Sequence, residues 1–338
     1  VVAQDATDDG VVSDAVPTIA SATVTDSRPG ELDVTFTESI DGTDTTAIKN
    51  AFSIADDRVS IDSVAEDAAA NNEDEVRLTL NTTVAPGADL TGLSYNGADG
   101  GGPLTASSND DDVYDFQDRT VSNDVKPSIQ SAEVTTDNPG EILVTYDGDI
   151  EAVDGVTVKN SFNYEGSESI NGVDFTAGDS TQLALELDGT ITAGQGSLST
   201  VNYDDGTGSG TTDAVQSVSG ALAENPQSGI SVTNNVAPTF VEAEVTNGNP
   251  GQVRVTFSEA VAADVGSGNI DSAVTNTFEI KNDDVDYRVK NVESINTDTI
   301  VLNLGLEDGT TQEVDVGDDL TGALSYDPSA ADGDEEDP

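Results

Sequence analysis

The sequence predicts an all-β chain of three tandem β-sandwiches, the third without its last strand. Three observations predict it. A proline-opened stretch recurs as Val12-Ser13-Asp14-Ala15-Val16-Pro17, Val121-Ser122-Asn123-Asp124-Val125-Lys126-Pro127 and Val232-Thr233-Asn234-Asn235-Val236-Ala237-Pro238. Its prolines lie 110 and 111 residues apart, close to the ~100 residues of one sandwich domain. Between them, apolar residues alternate with polar ones over short runs broken by Gly and Pro, as half-buried strands do. No stretch carries a 3.6-residue period with caps, so no helix is expected beyond one turn at Ala65–Ala70.

The elements recur in one order. After each proline comes an alternating strand: Thr18–Val24, Ser128–Val134 and Thr239–Val245. A Pro-Gly pair follows, at Pro29-Gly30, Pro139-Gly140 and Pro250-Gly251. Proline presets the first central position of a type II turn and glycine supplies the positive φ of the second, so a type II turn is expected there. The second strand is Leu32–Phe36, Ile142–Tyr146 and Val253–Phe257. A polar loop leads to an aromatic strand opening at Phe52, Phe162 and Phe278, then to the alternating strands Val76–Leu80, Leu183–Leu187 and Ile300–Leu304. A tyrosine strand closes the shared pattern at Tyr95, Tyr203 and Tyr326. Aromatics that recur at equivalent positions read as core.

Seven or so short strands per repeat make each sandwich immunoglobulin-like. The expected domains are 17–125, 126–236 and 237–328, preceded by a donor strand or linker at 1–16 and followed by an acidic tail at 329–338. Repeats one and two end on a further strand, Asp118–Ser122 and Gly229–Thr233. Repeat three continues into Asp332–Pro338, a charge block that reads as disordered. The stretch Asp9–Asp14 has the pattern of the strand that repeat three is missing. Its donor-strand residues are Val11, Val12, Ser13, Asp14 and Val16. The hinge residues are Asn123, Asp124, Pro127, Asn234, Asn235 and Pro238.

An unfinished sandwich exposes open strand edges, and a strand from another chain can fill them. Sixteen extended residues reach at most roughly 55 Å, against about 110 Å for three domains end to end. An extended array therefore cannot close on itself, although a folded-back one could, and a head-to-tail contact that does not close makes a filament. The alternatives are that 1–16 is a linker in a longer chain, or a strand that pairs within repeat one.

The chain has 66 acidic and 11 basic residues, a formal net charge of −55, with 35% hydrophobic and 4% aromatic residues. Such a surface repels itself until molar salt shrinks the Debye length to about 3 Å, which points to a hypersaline medium. Clusters of Lys/Arg for phosphate are absent, so no nucleic-acid partner is expected. No run of 18 apolar residues exists, so no membrane insertion is expected. The missing leader and initiator methionine read as a mature exported product. Without His or Cys, imidazole and thiol chemistry are excluded, and the repeats point to a mechanical role, so no enzyme is expected.

Two candidate sites remain. Asp110, Asp112, Asp115 and Asp124 could gather oxygen ligands for Ca²⁺, the one cofactor considered, although none has EF-hand spacing and a solvated acidic surface explains them better. Asn81-Thr82-Thr83 is the single Asn-x-Ser/Thr sequon and a candidate glycan acceptor.

The opening prolines, the Pro-Gly pairs, Val-Thr-Phe-Ser-Glu-Ala-Val at Val255–Val261, Thr-Phe-Glu-Ile at Thr277–Ile280 and the Leu-Ser-Tyr strands together resemble the Ig-like repeats of prokaryotic surface proteins. Those repeats occur in S-layer proteins, adhesins and surface filaments. The resemblance covers nearly the whole chain and implies an extracellular β-sandwich array with no catalytic residues to transfer. With the acidity, it implies a haloarchaeal surface protein. The expected function is a filament subunit, a head-to-tail homopolymer that could also meet S-layer or other surface proteins. The alternative is an S-layer or adhesin stalk module that binds a surface or glycan without polymerising.

Overall fold

The computed structural model describes residues 16–65, 74–97, 103–107, 110–153, 158–175, 180–195, 198–206, 214–246, 248–261, 278–280, 287–306 and 324–326. Of the expected features, Val11, Val12, Ser13, Asp14, most of the 65–70 turn and the acidic tail lie outside those residues. The chain divides into two compact units. One is Val1–Glu133, Gly140–Gly189 and Ser199–Thr233, and the other is Val134–Pro139, Thr190–Leu198 and Asn234–Pro338.

Repeat one contains β1 (Ile19–Thr25), β2 (Arg28–Phe36), β3 (Ile40–Asp41), α1 (Thr45–Ala51), β4 (Phe52–Ser53), β5 (Ile61–Val64), β6 (Glu75–Leu80), β7 (Leu93–Tyr95), β8 (Thr105–Ala106), β9 (Phe116–Arg119) and β10 (Ser122–Asp124). A five-stranded sheet runs β10-β1-β2-β6-β5, a three-stranded sheet runs β4-β7-β9, and β3 pairs β8. Strands β1-β2-β6-β5 against β4-β7-β9 reproduce the four-plus-three division of an immunoglobulin sandwich. Alternation drives it: Val76, Leu78 and Leu80 of β6 point inward and are buried, with half-buried residues between them. They meet Leu32, Val34, Phe52, Tyr95 and Phe116 in one core.

The end of repeat one closes both sheets. β9 runs antiparallel to β7 with Phe116 opposite Tyr95. The chain then passes to β10, parallel to β1, with Val24 opposite Asn123.

Repeat two follows with β11 (Ile129–Thr135), β12 (Glu141–Tyr146), β13 (Ile150–Ala152), β14 (Phe162–Tyr164), β15 (Ile170–Asp174), β16 (Gln182–Leu187), β17 (Thr200–Tyr203), β18 (Val215–Ser217) and β19 (Gln227–Asn235). Here β19 is a single nine-residue strand. It bonds both β17 and β11, which merges the two sheets as β14-β17-β19-β11-β12-β16-β15. Both closing strands carry a bulge beside the tyrosine strand, with Asp118 (φ 52°) and Gly229 (φ 72°) at equivalent places.

Repeat three contains β20 (Phe240–Thr246), β21 (Asn249–Phe257), β22 (Phe278–Ile280), β23 (Tyr287–Asn296), β24 (Thr299–Leu306) and β25 (Leu324–Tyr326). Its sheets are β20-β21-β24-β23 and β22-β25. Among the described residues no strand lies on the outer side of β20 or of β25.

The recurring aromatics are core. Phe36, Tyr95, Tyr146, Tyr203 and Phe257 are buried, and Phe52–Tyr95 and Phe162–Tyr203 pack with ring centroids 4.9 and 5.0 Å apart.

Two expectations are corrected. The chain does contain a helix: Asp44 caps α1 by accepting from the backbone N–H groups of Thr46 and Ala47 at 3.1 and 3.0 Å, and Ile48 is buried beneath it. Seven residues are too few to display a helical period. The Pro-Gly pairs also do not form type II turns, because Gly30, Gly140 and Gly251 all lack positive φ. In repeats one and three the hairpin bends earlier, with Thr25 opposite Arg28 and Thr246 opposite Asn249. The carbonyls of Pro29 and Pro139 accept loop amides from Val84 and Ile191 at 2.7 and 2.6 Å. In repeats one and three the Pro-Gly pair lies inside the second strand, whereas in repeat two Pro139 and Gly140 form a turn just before β12.

Candidate functional site: latched joints and an open edge

Each proline is held in the same way. The amide after it donates to a side-chain oxygen at the end of the second strand: Thr18 to Thr37 Oγ1 (3.1 Å), Ser128 to Asp147 Oδ1 (2.8 Å), Thr239 to Ser258 Oγ (2.9 Å). The backbone N–H of Thr37, Asp147 and Ser258 returns a bond to the carbonyl of Thr18, Ser128 and Thr239. Short polar side chains at these positions explain why three different residues serve equally.

Upstream of Pro127 and Pro238 the asparagine four positions earlier forms a latch. Asn123 donates from Nδ2 to the carbonyls of Ala85 (2.9 Å) and Ala88 (3.0 Å) and accepts Val125 N–H at Oδ1 (3.2 Å). Asn234 donates to the carbonyls of Thr192 (3.0 Å) and Ala193 (3.4 Å) and accepts Val236 N–H (3.1 Å). One side chain thus ties the strand end to the loop after β6 or β16 and sets the path of the linker. The linker amide is caught as well, Lys126 N–H by Asp26 Oδ1 (3.0 Å) and Ala237 N–H by Thr136 Oγ1 (2.7 Å).

Of the expected hinge residues, Asn123 and Asn234 therefore do the holding. Asp124 and Asn235 are exposed, Pro127 is buried and Pro238 is exposed. The signal for the latch was present in the sequence as an asparagine four residues before a proline, twice.

Joint one has a second contact. Gly148 lies so close to the loop after β6 that a Cβ there would stand 2.3 Å from the carbonyl oxygen of Pro86. Ser219 Oγ donates to the carbonyl of Asn123 at 2.7 Å.

The free side of β20 is the other candidate surface. On β1 and β11 the core positions Ala22, Val24, Ala132 and Val134 are at most 4% exposed. Their counterparts on β20 are open: Ala243 is exposed and Val245 half-buried. Phe240 is 46% and Val241 56% exposed. In repeats one and two a closing strand lies beside β1 or β11 in the same sheet, and its residues Val121, Asn123, Val125 and Val232 are buried.

The candidate calcium residues are not brought together. Among the described residues no group of three or more acidic side chains is gathered to hold a metal. Asp115 accepts Gly97 N–H, Asp124 accepts the Ser122 hydroxyl, and Asp110 has a positive φ of 60°. Asn81, Thr82 and Thr83 are exposed in the turn after β6. Val16, the one described residue of the expected donor strand, is 40% exposed. No described helix is long and apolar enough to cross a membrane.

No family model matches the chain, and no curated protein matches it. Among solved structures it is similar to domains 1–6 of the surface layer protein SbsC, a bacterial S-layer protein, with 14% identity and a TM-score of 0.24 over 87% of this chain and 51% of that one. It is also similar to the Escherichia coli adhesin FdeC (12% identity, TM-score 0.24, 92% of this chain, 96% of that one) and to the FN1–FN3 domains of chicken CNTN1 (9%, 0.25, 88% and 89%). The chain spans about half the length of that SbsC structure. At these identities and TM-scores the function has to come from the residues themselves.

Proposed function

We propose that this chain is an extracellular structural subunit of a haloarchaeal surface filament, built of three Ig-like domains and polymerised head to tail by donation of residues 11–16 to domain three of the next copy. The observation that carries it is the exposed β20, which has no strand on its outer side among the described residues, whereas its counterparts in repeats one and two are paired with a closing strand that has the sequence pattern of 11–16.

Counting back from the prolines gives the register. Val11 matches Val121 and Val232, Ser13 matches Asn123 and Asn234, and Ala15 matches Val125 and Val236. Asp8 matches Asp118 and Gly229 at the positive-φ bulge, and aspartate is among the few non-glycine residues that tolerate that region. Val11 enters the slot in this register, while Val12 faces solvent like Ser122 and Thr233. Burying one valine contributes about 1.5–3 kcal/mol before ordering costs, and the strand adds backbone hydrogen bonds to two free edges. A charge of −55 suits a hypersaline exterior, where screening limits repulsion.

Electron microscopy in molar salt tests it. The full chain is expected to form filaments, while deletion of residues 1–16 and Val11→Asp give single particles and Val12→Asp still polymerises. Filaments of normal length from the truncated chain sink the proposal. Single particles from every variant, the full chain included, favour the stalk reading. Lowering salt below about 1 M should lower the melting temperature steeply; a flat profile removes the halophilic part of the proposal.

A further inference from the structure

We infer that Asn81 is an N-glycan acceptor, an inference that rests on the exported location proposed above. The motif alone would be weak, but the two copies of this turn separate what the fold requires from what it does not.

In repeat one, Ser60 N–H donates to Asn81 Oδ1 (2.8 Å) and Asn81 N–H donates to the carbonyl of Ser60 (2.9 Å). In repeat two the same clasp is made by aspartate. Ser169 N–H donates to Asp188 Oδ1 (2.8 Å) and Asp188 N–H to the carbonyl of Ser169 (3.0 Å). Two residues on, both turns carry a threonine, Thr83 and Thr190, followed by the amide that bonds Pro29 or Pro139. The clasp needs one side-chain oxygen and nothing else, so aspartate satisfies it fully. In a chain with 66 acidic residues, aspartate is also the expected occupant.

Asparagine at position 81 therefore adds nothing to the fold. What it adds is an Nδ2 amide, which has no hydrogen-bond partner among the described residues. Because the clasp holds Oδ1 toward Ser60, Nδ2 is turned away from that strand end. Thr83, whose hydroxyl completes the Asn-x-Thr recognition element, is exposed in the same turn.

The chemistry is a glycosyl transfer from a lipid-linked oligosaccharide phosphate. Asn81 Nδ2 displaces the phosphate from C1 of the donor sugar. An N–C1 bond forms, the C1–O bond to phosphorus breaks, one amide proton is lost to the transferase's base, and the lipid phosphate leaves.

The test is peptide mapping by mass spectrometry of the full chain isolated from its native cells, with variants expressed there. The expected result is a hexose-containing mass increment confined to the peptide with Asn81. It is lost in Asn81→Asp and in Thr83→Ala, and Asn81→Asp shows no loss of hydrogen-bonded fold and no downward shift in melting temperature once both proteins are deglycosylated. Asp188→Asn is expected to gain a second glycan, because it installs the missing amide in an equivalent turn. An unmodified Asn81 in the native chain overturns the inference. If Asp188→Asn is modified while Asn81 is not, the exported location stands and only the inference falls. If neither is modified and the chain is recovered from the cell interior, both fall.

Discussion

Joint one and joint two share the asparagine latch and a caught linker amide, and they differ most at one glycine. Asn123 and Asn234 make the same latch, and both linker amides are caught by a side chain at the first hairpin. Joint one alone has glycine at position 148, where the equivalent positions of repeats one and three hold Glu38 and Glu259. Only glycine allows the carbonyl of Pro86 to approach so closely. The latch can therefore be repeated at every joint, because it asks for one amide side chain facing two carbonyls. The backbone seat cannot, because any Cβ fills the space it needs. The latch is common to both linkers, and the close backbone approach belongs to one of them.

The comparison can be broken most forcefully at Gly148. Gly148→Glu should destabilise the chain by about 1–3 kcal/mol through overpacking against Pro86, and should make the 121–128 linker cleavable in limited proteolysis. Repeats one and three already carry glutamate there, so the fold of repeat two itself tolerates it. A variant that melts and resists protease like the parent shows that the seat holds nothing. Glu259→Gly is expected to cost no stability.

Next in size are the latches. Asn123→Ala leaves two carbonyls without their donor at a site only 3% exposed, costing about 1–3 kcal/mol. Asn234→Ala should cost about 1 kcal/mol, since Asn234 is only half-buried and its acceptor Thr192 is exposed and can turn to water. Equal losses in thermal denaturation at matched salt would mean that burial is not what separates the two joints.

The smallest effects reverse the order. Asp26 accepts one amide, whereas Thr136 both accepts Ala237 N–H and donates to the carbonyl of Asn235 at 3.3 Å. Thr136→Ala should therefore cost about 1 kcal/mol and Asp26→Ala about 0.5 kcal/mol. Hydrogen exchange at the Lys126 and Ala237 amides reads the difference directly.

Proposed polymerisation adds a third joint to the comparison, with Ser13 in the latch position and Glu38 opposite the Gly148 position. A serine hydroxyl has one donor against the two of an asparagine amide, and Glu38 forbids the seat. That joint would be the loosest of the three, so Ser13→Asn is expected to slow filament disassembly on dilution; unchanged disassembly would separate the filament joint from the internal ones.

Much of this was legible in advance. The repeat period, the order of strands and the aromatic core follow from alternation and from the spacing of Pro17, Pro127 and Pro238. The hinge stretches were legible as places, but the work of Asn123 and Asn234 was not, since their acceptors Ala85, Ala88, Thr192 and Ala193 lie 35 to 42 residues away. Helix α1 escaped because it is short and is held by a cap, and the Pro-Gly pairs misled because in repeats one and three the two strands already pair at the residue before the proline, Thr25 with Arg28 and Thr246 with Asn249.

By itself, then, the sequence determined everything that depends on neighbours along the chain: which residues alternate, where each repeat begins, and how acidic the surface is. Only the tertiary structure decided which asparagine ties a joint, why Gly148 must lack a side chain, and that the face of β20 stands open. Those depend on atoms brought together from segments tens of residues apart, and no local pattern carries that distance.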